Sequence, residues 1–455
     1  MQQCLATLSA MRLSVIGCGY LGAVHAACMA DLGHDVVGID VDAGRVAGLA
    51  AGRPPFHEPG FGELLTRALA TGRLRFSTEM NEVAPAQVHF LCVGTPQRTD
   101  SYAADLSYVE AAVAALVPLL RTHPDGRVVV VGKSTVPVGT AERLAEQIAA
   151  DAAGSGAVLV WNPEFLREGF AIQDTVAPDR IVYGLPSGSD GAEARDVVDA
   201  VYADLLARGI PRLTTDYATA QLVKVAANSF LATKISFINA MADVCDASGA
   251  DIATLADALG LDERIGRKFL NAGLGFGGGC LPKDIRAFRA RAGELGVEQS
   301  LGFLREVDDL NVRRRSRVVD MAREAVGGSL NGATIAVLGA AFKPGSDDIR
   351  DSPALDVAGS LHLAGARVKV YDPQANAPAA AVWPTLEYVD SIETAVLDAS
   401  VVIVATEWRE FRDADPAALV SLAAVPYVID ARNCLDVDAW RAAGWAYRGL
   451  GRHST

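Results

Sequence analysis

An α/β fold, in which two doubly wound parallel-sheet domains are joined by a long central helix and a small helical domain, is predicted by three features of the chain. Short apolar, β-rich runs alternate with longer Ala- and Leu-rich segments through about the first two hundred residues. The same alternation returns near the C-terminus. Between the two, from about Asp216 to Ser248, there is no strand signal and no proline, and apolar residues recur at helical spacing.

In chain order, LSVIG, DVVGID, VHFLCVGTP, VVVVGKST, VLVWNPEF and RIVYG read as strands. Their continuous apolar character suits parallel strands buried on both faces. ATIAVLG, ARVKVYD, SVVIVAT and YVIDARN form the second set. The stretch between them reads as one helix packed between two α/β domains. An exposed apolar stripe on such a helix can pair with its copy in a second subunit, so a homodimer is expected. The first α/β domain is assigned to 11–212, the central helical and dimerisation domain to 213–312, and the second α/β domain to 313–455. Residues 1–10 read as an N-terminal extension, because MRLSVIG from Met11 looks like a complete start.

A chain of 455 residues is too long for one ordinary core. Lys and Arg total 41 against 55 Asp and Glu, a formal charge of −14. That argues against a nucleic-acid or anionic-membrane surface, because either would need clustered positive charge. A small anionic ligand, held by a few local cations, stays open. The 7 cysteines are scattered without a CxxC pair, which argues against a disulfide framework or a metal site and for a reducing, cytoplasmic compartment. Residues 13–30, LSVIGCGYLGAVHAACMA, resemble a secretory signal only superficially. Their glycines and His25 suit a strand, a turn and a helix better.

That segment contains Gly17-x-Gly19-x-x-Gly22 directly after a strand. The first glycine permits the tight turn, the second lets the backbone approach a pyrophosphate, and the third allows close helix–strand contact. The next strand ends at Asp40, where a carboxylate would accept hydrogen bonds from a ribose diol and repel a 2′-phosphate. Strand, glycines, helix and acid together predict a Rossmann-like domain that binds NAD rather than NADP. The C-terminal α/β unit, also Rossmann-like, has no glycine fingerprint after IAVLG, so a second dinucleotide is disfavoured. There Lys343 and Arg350 could contact another nucleotide-like ligand, or be solvated loop residues.

In GFGGGCLPKD (275–284) the glycines remove side chains around Cys280, so that a ligand could reach the sulfur. Lys283 would favour the thiolate, and Asp284 could act as a base or anchor the loop. An isolated cysteine is more often a small buried hydrophobe. A cysteine hydrolase would need a histidine, and none lies near this motif in sequence. An NAD site with a reactive thiol suggests a different chemistry: the thiol adds to an aldehyde, and the hemithioacetal loses hydride to give a thioester. On the long helix Lys224 and Asn228 lie four residues apart on one face. As two donors they could hold an oxyanion, or be two exposed polar residues of an amphipathic helix.

With these residues in hand, the chain resembles the UDP-glucose/GDP-mannose dehydrogenase family from residue 11 to about 440. The resemblance rests on GCGYLG, VGTP (93–96), KSTVPVGT (133–140), NPEFLREG (162–169), the Lys224/Asn228 helix, RIGRKFLNAGLGFGGGCLPKD (264–284), FKPGSDDIRDSP (342–353) and DARN (430–433). It implies that Cys280 is the nucleophile. C6–OH of UDP-glucose would give a first hydride to NAD⁺, Cys280 would add to the aldehyde, a second NAD⁺ would take the next hydride, and the thioester would be hydrolysed to UDP-glucuronate. It gives Lys224 and Asn228 the oxyanion, Asp284 and Thr135 an ordered water, and Glu168 a role in hydrolysis. NAD would lie on the turn Gly17, Gly19, Tyr20, Leu21 and Gly22, and on Asp40, Arg45, Thr95, Thr135, Glu168, Lys283 and Arg350.

The resemblance places the nucleotide sugar on Glu164, Phe165, Leu166, Arg167 and Glu168, with Lys224 and Asn228. It adds Phe269, Leu270, Asn271, Ala272 and Gly273, then Gly277, Lys343 and Arg432. It also implies that Arg264 reaches across a dimer interface to the sugar. Plainer roles compete at three positions: Thr95 as turn chemistry before Pro96, Arg45 as a solvated helix residue, and Arg350 as a partner of Asp347 or Asp348. Gly279 stands where many members carry serine, and the 97–108 loop lacks a glycine. UDP-glucose is the expected substrate; GDP-mannose or a UDP-N-acetylhexosamine is the alternative, and a non-catalytic nucleotide-sugar binder or a two-electron alcohol dehydrogenase would have no need of the cysteine.

Overall fold

The computed structural model describes residues 10–123 and 127–452. Residues 1–9 of the expected extension lie outside the described residues. The chain divides into two compact units, Met1–Ala226 and Ala227–Thr455.

The first unit is built on an eight-stranded sheet: β1 (Arg12–Ile16), β2 (Asp35–Ile39), β3 (Leu74–Ser77), β4 (Val88–Leu91), β5 (Val129–Gly132), β6 (Val158–Trp161), β7 (Ile181–Gly184) and β8 (Arg212–Thr215). The spatial order is β3-β2-β1-β4-β5-β6-β7-β8. All pairings are parallel except β6 with β7, which touch through a single antiparallel pair, Trp161 with Gly184. The chain leaves β1 for β2 on one side and returns to β4 on the other, so a crevice opens beyond the C-terminal ends of β1 and β4. Strands β4 to β7 are buried at every residue, as their continuous apolar runs require. One apolar core, including Val15, Phe90 and Val131, lies on the face covered by the helix Tyr20–Asp31. A second, including Ile16, Val130 and Trp161, lies on the opposite face.

The second unit carries a six-stranded, fully parallel sheet in the order β11-β10-β9-β12-β13-β14. Its strands are β9 (Thr334–Leu338), β10 (Arg367–Tyr371), β11 (Glu387–Tyr388), β12 (Val401–Val404), β13 (Tyr427–Asp430) and β14 (Ala446–Gly449). Helices Leu281–Glu294 and Phe303–Ala325 belong to the same unit. The expected long helix runs from Tyr217 to Ser248, 32 residues, and the division between the units falls within it. From its part in the second unit Ala232, Ile238, Ala242 and Cys245 are buried. On that same stretch Phe230, Phe237 and Val244, seven residues apart, are 65%, 50% and 55% exposed, far more than isolated core-type side chains need be. No helix among the described residues is long and apolar enough to cross a membrane.

Three histidines are buried in the first unit, and burial lowers the pKa of each. His89, on β4, has Nδ1 2.8 Å from the Ser14 hydroxyl, and burial takes its pKa from 6.5 to about 4. A base whose folded pKa is depressed stays neutral when folded. Its stabilisation is therefore complete above pH 6.5, declines as pH falls, and is gone once the pH passes through about 4. For His89 this amounts to about 3 kcal/mol. Urea unfolding at about pH 7.5 and about pH 5 should show a smaller acid-induced loss for His89→Gln than for the wild type. Equal losses would contradict this account.

Candidate active site

In the first unit the glycine turn follows β1. Gly17 has φ +90° and a Cβ there would lie within 2.9 Å of the Val93 backbone. A Cβ on Gly22 would sit 1.8 Å from the Gly17 carbonyl oxygen, whereas one on Gly19 would meet nothing within 4 Å. Two glycines therefore serve close packing and the middle one leaves a face of the turn open, which fits a pyrophosphate. Asp40, buried at the end of β2, accepts hydrogen bonds from the amides of Cys18 (2.8 Å) and Asp42 (3.0 Å). Arg45 donates to both oxygens of Asp40 at 2.9 Å, so it is a partner of this carboxylate and not a freely solvated residue.

The loops after β4 and β5 are bonded to each other. The Thr95 hydroxyl donates to the Thr135 carbonyl (2.7 Å) and the Ser134 hydroxyl to the Val93 carbonyl (2.7 Å). After β6, Asn162 is buried and its Oδ1 accepts from Lys133 Nζ (3.0 Å) and from the Tyr202 hydroxyl (2.9 Å). Burial lowers the Lys133 pKa. Glu164 Oε1 pairs with Lys224 Nζ at 3.0 Å, and its other oxygen accepts from the Leu166 amide at 2.5 Å. Lys224 is thus a buried cation that already has an acid partner. The Phe165 ring has Arg180 at 4.0 Å and Lys224 at 5.7 Å from its centroid, two cations against one aromatic ring. Arg167 points elsewhere, to Asp174 (2.6 Å). Glu168 is half-buried.

In the second unit Cys280 is exposed and stands at the N-cap of the helix Leu281–Glu294, with Pro282 in the first turn. Among the described residues the other cysteines are less suited to nucleophilic work: burial pushes the thiols of Cys28 and Cys92 up to about 12. One turn into the helix, Asp284 is buried. Its Oδ2 accepts from Asn228 Nδ2 (2.6 Å) and its Oδ1 pairs with Lys283 Nζ (2.9 Å). The three residues expected near the reaction therefore form a chain of contacts, Asn228–Asp284–Lys283.

The structure corrects the reason for the glycines. A Cβ on Gly277 would lie 2.2 Å from the Asp351 carbonyl oxygen, one on Gly278 2.7 Å from the Phe342 ring, and one on Gly279 2.3 Å from Cζ of Arg350. The space they leave is filled by the 342–353 segment. Arg350 is held there by Asp348 (2.6 Å), and Lys343 Nζ lies 5.3 Å from the Phe342 ring. Arg432 donates to the carbonyls of Ala405 (2.8 Å) and Gly275 (2.8 Å), which makes it a brace for the glycine segment. Of the remaining expected substrate residues, Phe269 adopts a left-handed backbone (φ 66°), Leu270 and Ala272 are buried, and the exposed Asn271 accepts from Arg267 (2.8 Å). The side chain of Arg264 is 88% exposed and pairs with its neighbour Asp262.

Several bracing residues carry no motif signal. Asn311 bonds both the N–H and the carbonyl of Phe276 (2.8 and 2.9 Å), as a strand partner would. Asn239 accepts from the Gly273 amide (2.8 Å), and Arg314 donates to the Gly273 carbonyl (3.2 Å). Arg286 pairs with Asp308 and Asp351, and Arg315 with Asp351 and Asp356, tying two helices to the 342–353 segment. The available signal is that Asp308, Asn311, Arg314 and Arg315 occupy inward positions of a helix whose apolar face also includes Leu304, Val307 and Val318.

Comparison with known proteins places these features in one family. Residues 11–206 match the NAD binding domain of the UDP-glucose/GDP-mannose dehydrogenase family, 218–313 its central domain, and 336–437 its UDP binding domain. The chain belongs to the UDP-glucose/GDP-mannose dehydrogenase family. It is 42% identical to a UDP-glucose 6-dehydrogenase of Rhizobium meliloti over 443 residues, 97% of this chain and 100% of that one. A solved UDP-glucose dehydrogenase from Pyrobaculum islandicum superposes with a TM-score of 0.88 at 40% identity, covering 99% of this chain and 100% of the other. A solved UDP-D-ManNAc dehydrogenase from Pyrococcus horikoshii gives 0.83 at 25% identity, with 98% and 100% covered.

The glycine contacts give a paired prediction. In Gly277→Ala the new methyl meets backbone, so the second unit should lose about 1–3 kcal/mol of stability. Gly279→Ser meets only the end of a flexible arginine and should unfold within about 0.5 kcal/mol of the wild type. Thermal unfolding of both variants checks this, and a reversed order would contradict the contacts.

Proposed function

We propose that this protein is an NAD-dependent UDP-glucose 6-dehydrogenase, which oxidises C6 of UDP-glucose by four electrons to UDP-glucuronate. The observation that carries this reading is the exposed Cys280 at a helix N-terminus, with Asp284 and Asn228 bonded one turn away. A two-electron alcohol dehydrogenase or a mere binder has no use for that thiol. Identity of 42% and 40% to two UDP-glucose dehydrogenases, against 25% to a UDP-D-ManNAc dehydrogenase, supports UDP-glucose over the sister sugars.

NAD, when bound, accepts one hydride in each of two oxidations. The turn Gly17–Gly22, Asp40 with Arg45, and the Thr95 and Thr135 loops hold it, with Glu168, Lys283 and Arg350 as further contacts. The protein's own residues do the rest. Cys280 Sγ bonds to the C6 aldehyde, and the aldehyde oxygen becomes the oxyanion that Lys224 and Asn228 stabilise as donors. Loss of hydride from that adduct leaves a thioester. Water, held by Asp284 and Thr135, attacks the acyl carbon while Glu168 takes its proton; the C–S bond breaks and the thiolate is regenerated. Glu164 fixes Lys224 through their ion pair. The sugar nucleotide contacts Phe165, Leu166, Phe269–Gly273, Gly277, Lys343 and Arg432.

The active form is a homodimer in this reading. Phe230, Phe237 and Val244 make an exposed apolar row on one helix, which a second copy of the same row would cover. Arg264, exposed in the single chain, is then available to the partner's sugar. The compartment is cytoplasmic, where the thiol of Cys280 stays reduced.

Two measurements test these statements. Wild type should form two NADH per UDP-glucose consumed, and Cys280→Ser should lose turnover by at least about 10³-fold. One NADH per sugar, equal in both proteins, would overturn the covalent route; NADH from GDP-mannose but not UDP-glucose would reassign the substrate. Light scattering should give twice the chain mass for the wild type and one chain mass for Phe230→Asp/Phe237→Asp, whereas a monomeric wild type would contradict the dimer.

A further inference from the structure

Glu58 belongs to the turn before the helix Phe61–Ala70, and neither the glycine motif nor the thiol motif includes it. Its side chain is 6% exposed, and among the described residues no cation pairs with it. Such a carboxylate is costly to bury unless hydrogen-bond donors surround it. Three do. Oε2 accepts from the Tyr20 hydroxyl in a very short contact and from the Gly169 amide at 2.7 Å; Oε1 accepts from the Ala171 amide at 2.7 Å. The Gly169 amide also donates to the Tyr20 hydroxyl oxygen at 3.1 Å. Phe56, two residues before Glu58, packs against Tyr20 with ring centroids 4.7 Å apart and stacks on Phe61 at 5.3 Å.

The residues so joined matter for their neighbours. Tyr20 lies inside the glycine turn, between Gly19 and Gly22. Gly169 follows Glu168, so the bond to its N–H fixes the peptide plane that carries Glu168. Gly169 has φ +81°, a left-handed backbone conformation in which a side chain would be strained. Ala171 opens the short helix Ala171–Val176, whose start is thereby tied down as well. Burial, reinforced by Glu58, raises the Tyr20 pKa, so the phenol keeps its proton and remains a donor.

We propose that Glu58 is a positioning residue: its carboxylate clamps the Glu168–Gly169 peptide to the glycine turn and so sets the placement of the Glu168 carboxylate for thioester hydrolysis. The kinetic role rests on the dehydrogenase reading above; the clamp itself does not. Glutamine cannot replace Glu58, because one of its two terminal atoms is an NH₂ that would face an N–H or O–H donor. Tyr20→Phe, by contrast, removes one donor and leaves both amide bonds.

The experiment has two arms. Amide hydrogen exchange should show the Gly169 and Ala171 amides protected in the wild type and in Tyr20→Phe, and at least about ten-fold faster in Glu58→Gln, with the β4 and β5 amides unchanged. Rapid-mixing kinetics with UDP-glucose and NAD should show, for Glu58→Gln, a burst of two NADH per chain followed by turnover slowed by about ten- to a hundred-fold, the cost of displacing a reacting group. Tyr20→Phe should slow it less, with the KM for UDP-glucose kept in both. Unchanged exchange at Gly169 and Ala171 would overturn the clamp. Turnover within about two-fold of wild type, or burst and turnover reduced together, would overturn the positioning role. A wild type that forms only one NADH per sugar would overturn the dehydrogenase reading and, with it, the kinetic role, while the exchange arm would still judge the clamp.

Discussion

Close contact between the glycine run and the 342–353 segment is the constraint on which the second unit depends. Backbone meets backbone at Gly277 and an aromatic ring at Gly278, so no other residue type fits without displacing one segment from the other. Two consequences follow. The helix that starts at Cys280 has its first turn fixed by contacts made before it begins, and Asp284 in that turn is brought to Asn228 and Lys283. The same packing sets the Arg350 guanidinium against Gly279, one residue from the thiol. A local need for small residues thus fixes the surroundings of the exposed Cys280 thiol.

Side chains that bond to backbone maintain this geometry. Asn239, Asn311, Arg314 and Arg432 each bond an N–H or a carbonyl between Gly273 and Phe276, in a segment that forms no strand and would otherwise bury unpaired polar groups. The first unit uses the same device with carboxylates. Asp40 gathers the amides of Cys18 and Asp42, and Glu58 those of Gly169 and Ala171. In both units irregular chain is held in place by buried polar side chains that bond its backbone.

Much of this was legible in the sequence for a physical reason. Parallel strands buried on both faces are continuous apolar runs, so β1, β2, β4–β7, β9, β10, β12 and β13 announce themselves. The strands that did not, β3 and β11 among them, are sheet edges, where half the residues face water and the apolar run is broken. The candidate site was legible where its residues cluster within a motif, as at Cys280, Asp284, Asp40 and the Lys224/Asn228 pair. Glu58, Asn239 and Asn311 were not, because each acts on a backbone far away in sequence, and a single buried polar residue has no local pattern. The glycines before Cys280 stand out in the sequence, but what meets them is visible only once the segment packed on them, about sixty residues further on, is in place.

The central claim is that Cys280 holds the sugar C6 covalently between two oxidations, and it can be examined directly. The protein would be quenched in acid during turnover with UDP-glucose and NAD, digested, and the peptide containing Cys280 weighed by mass spectrometry. The account predicts a fraction of that peptide heavier by one UDP-glucuronyl acyl group, released by hydroxylamine, as a thioester would be. A Cys280 peptide that stays unmodified at every quench time, from an enzyme that is producing UDP-glucuronate, would contradict it.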